Sequence, residues 1–225
     1  MKIGLLLIST GKYSVFLEPL ITSARKFFLK NHEVTYFLFT DCDKFENEQD
    51  VISIHKEHEA WPNPTLKRYE TFHKNRDKLE HVDYLFYCDV DMLFVDEVGD
   101  EILSDRVATI HPGFLGGRGT PETRKESLAY IGPEEEMTYF AGGFNGGKTG
   151  LFLDMAKTLS ENINKDLQNG IIALWHDESH MNRYFIDNPP TKALTSSYCY
   201  PESWNLPFKK KLLALDKNHK EMRDA

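Results

Sequence analysis

Residues 3–8 read Ile-Gly-Leu-Leu-Leu-Ile, an unbroken apolar run that begins almost at the first residue and stops at Ser9-Thr10-Gly11. A run so short and so uniformly apolar reads as a strand over residues 2–10 covered on both faces, since a half-exposed strand would alternate polar with apolar side chains. Such a strand belongs in the middle of a sheet with helices on both sides. Helical spacing follows at Phe16, Leu17, Leu20, Ile21, Ala24, Phe27 and Phe28. Strands are then predicted over 34–40 and 51–55, a charged helix over 66–79 behind the turn Pro62-Asn63-Pro64, and a strand over 83–94 that breaks into an acidic end.

This β-α-β-β-α-β rhythm predicts an α/β fold whose mostly parallel sheet offers a ligand crevice beyond the carboxyl ends of its strands. Thr10-Gly11-Lys12-Tyr13 and Asp89-Val90-Asp91 both fall at such ends. Past residue 105, strands near 107–111 and 139–147 and helices near 149–167 and 178–187 are predicted, with glycine-rich connections between them. No repeat, low-complexity segment or linker divides the 225 residues, so one domain is expected, with a polar tail over 217–225 that is mobile when no ligand is bound.

Charge and composition narrow the function. The 35 acidic residues outnumber the 27 lysines and arginines, and no basic run exists to neutralise a phosphate backbone, so nucleic acid is excluded as the main partner. No apolar stretch approaches the roughly 20 residues that cross a bilayer, and no signal peptide is expected. The three cysteines, Cys42, Cys88 and Cys199, make no C-x-x-C pair, which argues against a disulfide framework or a thiolate metal site and for a reducing compartment.

Three constellations carry candidate chemistry. In Tyr84-Leu85-Phe86-Tyr87-Cys88-Asp89-Val90-Asp91, two carboxylates two positions apart point to one side of an extended segment, which is costly beside a buried strand unless a cation joins them. Oxygen ligands of this kind suit Mg²⁺ or Mn²⁺ bridging to the phosphates of a nucleotide, while a solvated acidic turn is the plainer reading. Trp175-His176-Asp177-Glu178-Ser179-His180 has histidines at zinc-site spacing, but Asp177 replaces the glutamate such sites need; Asp177 as a helix N-cap explains the segment better. The glycines of 111–117 and 141–147 fit no dinucleotide or triphosphate motif and read as turns or bulges that also permit close approach to a sugar. Trp61 and Trp204 are packed residues or sugar platforms. No nucleophile elbow or reactive cysteine context is present.

Together these motifs, in this order, resemble glycosyltransferase family 6, the family of the ABO blood-group α1,3-galactosaminyl- and galactosyltransferases and their soluble microbial relatives. The resemblance rests on Thr-Gly-Lys-Tyr at 10–13, Leu-Lys-Arg at 66–68, Asp-Val-Asp-Met at 89–92, Val-Gly-x-Glu-Ile-Leu at 98–103 and His-Pro-Gly-Phe at 111–114. Ala-Gly-Gly-Phe-x-Gly-Gly at 141–147, Trp-His-Asp-Glu-Ser-His at 175–180 and Lys-Asn-His at 217–219 extend it over nearly the whole chain.

The resemblance implies a GT-A fold over residues 1–225, with a nucleotide-binding half over 1–105, an acceptor and catalytic half over 106–216 and a closing tail over 217–225. It implies transfer from a UDP-sugar to the 3-hydroxyl of a β-galactoside, fucosylated or not, with retention. By position, Ile8, Ser9, Thr10 and Tyr13 would hold the uridine, and Asp89, Val90 and Asp91 the diphosphate end, with Asp89 and Asp91 as ligands of Mn²⁺ or Mg²⁺. Arg68 and Asp177 would meet donor sugar hydroxyls, Lys217 and Arg223 the diphosphate, and His111, Trp175 and Glu178 the acceptor galactose. Glu178 is the implied catalytic carboxylate. Ala141-Gly142-Gly143 would flank the donor C2 substituent, where small residues leave room for an acetamido group and so favour UDP-GalNAc over UDP-Gal. A galactosyltransferase of the same fold and a non-catalytic nucleotide-sugar or glycan-binding module are the alternatives. Many soluble bacterial members carry Asn-x-Asn and work without metal, so Asp-Val-Asp here implies metal dependence. A chain that opens on the first strand, without the anchor of vertebrate members, implies a soluble, cytoplasmic enzyme of microbial or viral origin.

Overall fold

The computed structural model describes residues 1–45 and 48–223, the last in its backbone alone. In chain order the first half holds β1 (Lys2–Ser9), α1 (Leu17–Phe27), β2 (Glu33–Thr40), β3 (Val51–His55), α2 (Asn63–Leu66), α3 (Arg68–Lys74), α4 (Arg76–Leu79), β4 (Tyr84–Cys88) and β5 (Met92–Phe94). The second half holds β6 (Arg106–Ile110), β7 (Phe140–Lys148), α5 (Thr149–Gln168), α6 (His176–Asp187), β8 (Lys192–Leu194), β9 (Tyr200–Pro201), β10 (Leu212–Ala214) and α7 (His219–Arg223).

The parity of β1 shows why its apolar run is unbroken. Ile3, Leu5 and Leu7 pack with Leu17, Leu20 and Ile21 of α1, while Leu6 and Ile8 pack with Tyr69 and Phe72 of α3 and with Phe152 and Leu153 of α5. Burying each such side chain stabilises by roughly 1.5–3 kcal/mol, enough to outweigh the ~1–2 kcal/mol of ordering its backbone. A charge on either face would have no solvent to reach.

β1 lies inside a seven-stranded sheet of order β3-β2-β1-β4-β7-β6-β8. β3, β2, β1 and β4 run parallel, β7 is antiparallel to both β4 and β6, and β8 is parallel to β6. The sheet therefore draws on both halves of the chain. The reversal of β7 has a direct consequence: its first residues, 140–143, arrive at the edge where β1 and β4 end. Glycine permits this pairing, since a Cβ on Gly146 would stand 2.3 Å from a ring carbon of Phe86 and 2.5 Å from the Leu85 carbonyl oxygen.

Three expectations need correction. The helix over 66–79 is three short helices, broken at Lys67 and Asn75, where ψ is 13° and 23°; the Asn75 amide bonds the Thr71 carbonyl at 2.9 Å and competes with the helix ladder. The strand over 83–94 is two strands in two sheets, because β5 leaves β4 to pair with β10 in a three-stranded sheet of order β5-β10-β9. Asp89-Val90-Asp91 is the turn between them rather than an extended segment. Asp177 is no N-cap: α6 opens at His176, and Asp177 is its second residue.

The small sheet also places the tail. Beyond β10, the Leu215 N–H donates to the Asp91 carbonyl at 3.0 Å, and the Lys12 ammonium donates to the Glu221 carbonyl of α7 at 2.9 Å. Residues 217–222, expected to be mobile in the absence of ligand, lie against the ends of β1 and β4. Among the described residues, no helix is long and apolar enough to cross a membrane.

Candidate active site

A bulge in β7 organises the site. Ala108 of β6 faces Asn145 and Thr109 faces Ala141, so Gly142, Gly143 and Phe144 leave the ladder on that side. Their freed polar groups take other partners. The Gly142 N–H donates to Glu178 Oε2 at 2.8 Å, and its carbonyl accepts from the Arg68 guanidinium at 3.0 Å and from the Asn145 amide at 3.2 Å. On the β4 side, the Asp89 N–H donates to the Gly143 carbonyl at 2.8 Å. One residue thus ties the start of α3 to the first turn of α6.

Arg68, first residue of α3, is 4% exposed. Its guanidinium lies 3.1 Å from Asp177 Oδ2 and 3.3 Å from Asp89 Oδ1, and its carbon stands 4.2 Å from the centre of the Tyr87 ring. The Tyr87 hydroxyl donates to Asp89 Oδ1. Burial works against the Arg68 charge, but Asp177 and Asp89 more than offset it, so the guanidinium stays ionised. One cation does not satisfy all the acids. Burial, reinforced by neighbouring carboxylates, raises Asp177 to about 6 and Glu178 to about 7. α6 is clamped in place by Asn182, which accepts from the Phe140 N–H at 2.8 Å and donates to the Phe140 carbonyl at 2.9 Å.

Of these groups, Arg68, Tyr87 and Asp89 line a cavity of about 280 Å³ at the carboxyl ends of β1 and β4, whereas Asp177 and Glu178 lie behind Arg68 and Gly142 and do not line it. Of the residues implied for donor binding, Ile8, Thr10, Tyr13, Arg68, Asp89, Val90, Asp91 and Lys217 line it. Ser9 does not: it shares the parity of Leu5 and Leu7, is 1% exposed and faces away from the cavity. Ala141, Gly142 and Gly143 form the wall between Asp89 and Glu178; a Cβ on Gly143 would lie 3.1 Å from Asp89 Oδ2 and one on Gly142 3.4 Å from Glu178 Oε2. Lys217 reaches Asp91 and forms an ion pair with it. The side chain of Arg223 lies outside the described residues.

The implied acceptor residues gather on the other side of Glu178. Buried Tyr139 lies next to Glu178, whose charge adds to burial in raising the phenol's pKa. The His111 ring packs 4.7 Å from Phe114 and 5.7 Å from Tyr139, and burial lowers its pKa. Trp175 is 48% exposed, with its indole N–H on the Thr120 hydroxyl at 2.8 Å. The two histidines at zinc-site spacing part company: the His176 ring packs 5.1 Å from Trp61, and His180 is buried 3.5 Å from Asp166. Trp61 lines the cavity, whereas Trp204 lies near Gly113, beside His111.

Sequence reasoning missed Tyr87, His58, Thr65, His219 and Met222, all of which line the cavity. Tyr87 had a usable signal, since it precedes Asp89 by two on a strand and shares its face. His58, whose ring nitrogen is 3.1 Å from the Thr10 hydroxyl, had none in its own loop.

As for a divalent ion, Asp89 and Asp91 offer hard oxygen donors at the cavity mouth, where an ammonium already pairs with one of them. No group of three or more metal-ligating side chains occurs among the described residues. One or two carboxylates with substrate phosphates are the usual holding set for Mg²⁺, so the pair fits such an ion once a diphosphate is present.

Comparison with known proteins gives a concordant result. The family model for glycosyltransferase family 6 matches residues 1–224. The chain is 36% identical over 238 residues to the histo-blood group ABO system transferase 1 of Rattus norvegicus, covering 99% of this chain and 68% of that one. It is 33% identical over 240 residues to the globoside alpha-1,3-N-acetylgalactosaminyltransferase 1 of Gallus gallus, covering 100% and 70%. Over 224 residues it is 32% identical to the O-antigen biosynthesis glycosyltransferase WbnI of Escherichia coli, covering 96% and 95%.

Proposed function

The chain belongs to glycosyltransferase family 6 and is a hexosyltransferase, and from that premise we propose that it transfers GalNAc from UDP-GalNAc to the 3-hydroxyl of a β-galactoside, with retention and with a divalent cation. The observation that carries this reading is Gly142, which holds Arg68 through its carbonyl and Glu178 through its N–H. That residue ties a carboxylate beside the aromatic acceptor surface to an arginine that lines the cavity.

In the transfer, the bond from the anomeric carbon to the UDP oxygen breaks and a bond to the acceptor oxygen forms. The acceptor proton passes to the departing diphosphate or to a base. Ile8, Thr10 and Tyr13 hold the uridine, and Arg68 with Asp177 orients the donor sugar. Lys217 faces the negative charge that grows on the diphosphate, and Mn²⁺ or Mg²⁺, when bound at Asp89 and Asp91, adds charge stabilisation there. Glu178 faces the anomeric carbon, which becomes oxocarbenium-like, and its carboxylate stabilises that positive charge. His111 and Trp175 receive the acceptor galactose, and Gly143 keeps the space beside the donor C2 position open.

A donor-by-acceptor screen tests the assignment. With fucosylated and plain galactosides, UDP-GalNAc turns over at least tenfold faster than UDP-Gal, and EDTA abolishes transfer until Mn²⁺ is restored. Faster turnover of UDP-Gal reverses the donor choice, and activity that survives EDTA removes the metal role of Asp89 and Asp91. Transfer also depends on pH in a defined sense. Glu178 must be ionised to stabilise a cation, and its pKa is raised to about 7. We therefore expect kcat/KM to rise with pH through about 7 and to level off above it, as a pH–rate profile will show.

A further inference from the structure

Among the described carboxylates that line the cavity, Asp89 is the one held by a buried tyrosine. Its Oδ1 accepts from the Tyr87 hydroxyl and lies 3.3 Å from the Arg68 guanidinium, which leaves Oδ2 turned toward Gly143, 3.1 Å from the place a Cβ there would occupy. Tyr87 is 3% exposed. Its ring does two further things: it packs at a tilt against Phe72 in the apolar core, ring centres 5.6 Å apart, and its centre lies 4.2 Å from the Arg68 guanidinium carbon. No other described side chain touches both Asp89 and Arg68 in this way and also lines the cavity.

We propose that Tyr87 is a positioning residue for sugar transfer: its hydroxyl fixes the plane of the Asp89 carboxylate, and its ring seats Arg68. A free Asp89 carboxylate could rotate about its terminal torsion, which is broad and nearly two-fold. Held by the phenol, the carboxylate keeps one torsion, with the oxygen not bonded to Tyr87 directed at the Gly143 wall. The ring and the hydroxyl therefore have separable roles. This inference rests on the donor assignment of Asp89 and Arg68 made above.

Two variants separate the roles. Tyr87→Phe keeps the stacking on Phe72 and Arg68 and loses only the bond to Asp89; Tyr87→Leu loses both. For Tyr87→Phe we expect an unchanged thermal midpoint, UDP affinity within twofold of wild type by calorimetry, unchanged acceptor KM and kcat lower by about tenfold. Its crystal structure should show the Asp89 carboxylate rotated or in two rotamers, with Arg68 in place. Tyr87→Leu should lose a further tenfold and weaken UDP-GalNAc binding as Arg68 shifts, and phenylalanine at that position then counts as partial rescue. An Asp89 carboxylate that keeps its rotamer in Tyr87→Phe crystals, or a kcat within twofold of wild type, overturns the proposal. Wild-type protein that binds no UDP-sugar would instead overturn the donor reading, while the crystallographic comparison still decides the role of Tyr87.

Discussion

Glu178→Gln lowers transfer turnover by about 10²–10³-fold while UDP affinity stays near that of the wild type. The amide keeps the side chain's shape, and its oxygen can still accept the Gly142 N–H that Glu178 Oε2 takes at 2.8 Å. What disappears is the negative charge proposed to stabilise the anomeric carbon. The nucleotide cavity is lined by other residues, so binding and chemistry should separate cleanly. Steady-state kinetics with UDP calorimetry on the same preparation check both halves, and undiminished turnover removes Glu178 from the mechanism. Stability gives an independent readout. The folded pKa of Glu178 is about 7, above its ordinary value, so the folded state binds the proton more tightly than the unfolded one. Folding is thus helped by this group at low pH, and that help is lost as pH rises from about 4.5 through 7. Glu178→Gln lacks the titration, so its thermal midpoint relative to wild type should be higher at pH 8 than at pH 5.

Arg68→Met is expected to abolish detectable transfer and to destabilise the fold by about 3–5 kcal/mol at pH 8. The reason is what remains behind. Asp177, 3% exposed, would lose the guanidinium 3.1 Å away, and Asp89 the one at 3.3 Å. The methionine fills much of the apolar volume, so the cost is chiefly that of uncompensated buried charge. Asp177 already titrates at about 6 with Arg68 present, and without it the pKa moves higher still. Protonation then relieves the defect, and the destabilisation measured by urea unfolding should shrink between pH 8 and pH 5. Arg68→Met with Asp177→Asn should recover stability but not transfer. If the single variant is as stable as wild type at both pH values, the buried ion pair has no structural weight.

Much of this site was legible because its residues fall at places where chain chemistry is locally abrupt. A continuous apolar run ending at Thr10-Gly11, and another ending at Asp89, mark strand ends whatever surrounds them. Asp177 and Glu178 were recognisable as acids near a helix start, although the N-cap assignment was wrong. The cap position is decided by backbone torsions at Trp175 and His176, and His176 has φ of 53°. The glycines of 141–147 read as turns or bulges; one bulge is there, but which of its peptides is released depends on a register between β6 and β7, two strands separated by a long connection. Ser9 was placed in the donor site by position, through the family resemblance, while strand parity points it to the opposite face. Tyr87 shares the face of Asp89 two residues on and was not singled out.

By itself, then, the sequence determined the layer order: alternating two-sided apolar runs and amphipathic segments can bury their surfaces only as a helix-covered, mostly parallel sheet. Residue types and their order also identified the family, since those motifs are contiguous. Tertiary structure alone decided how the motifs meet. The reversed β7, its bulge at Gly142, and the departure of β5 into a second sheet bring residues 68, 89, 142, 178 and 217 into one cleft. Strand direction and register are set by the balance of contacts summed over the whole sheet, and no local stretch of chain contains that sum.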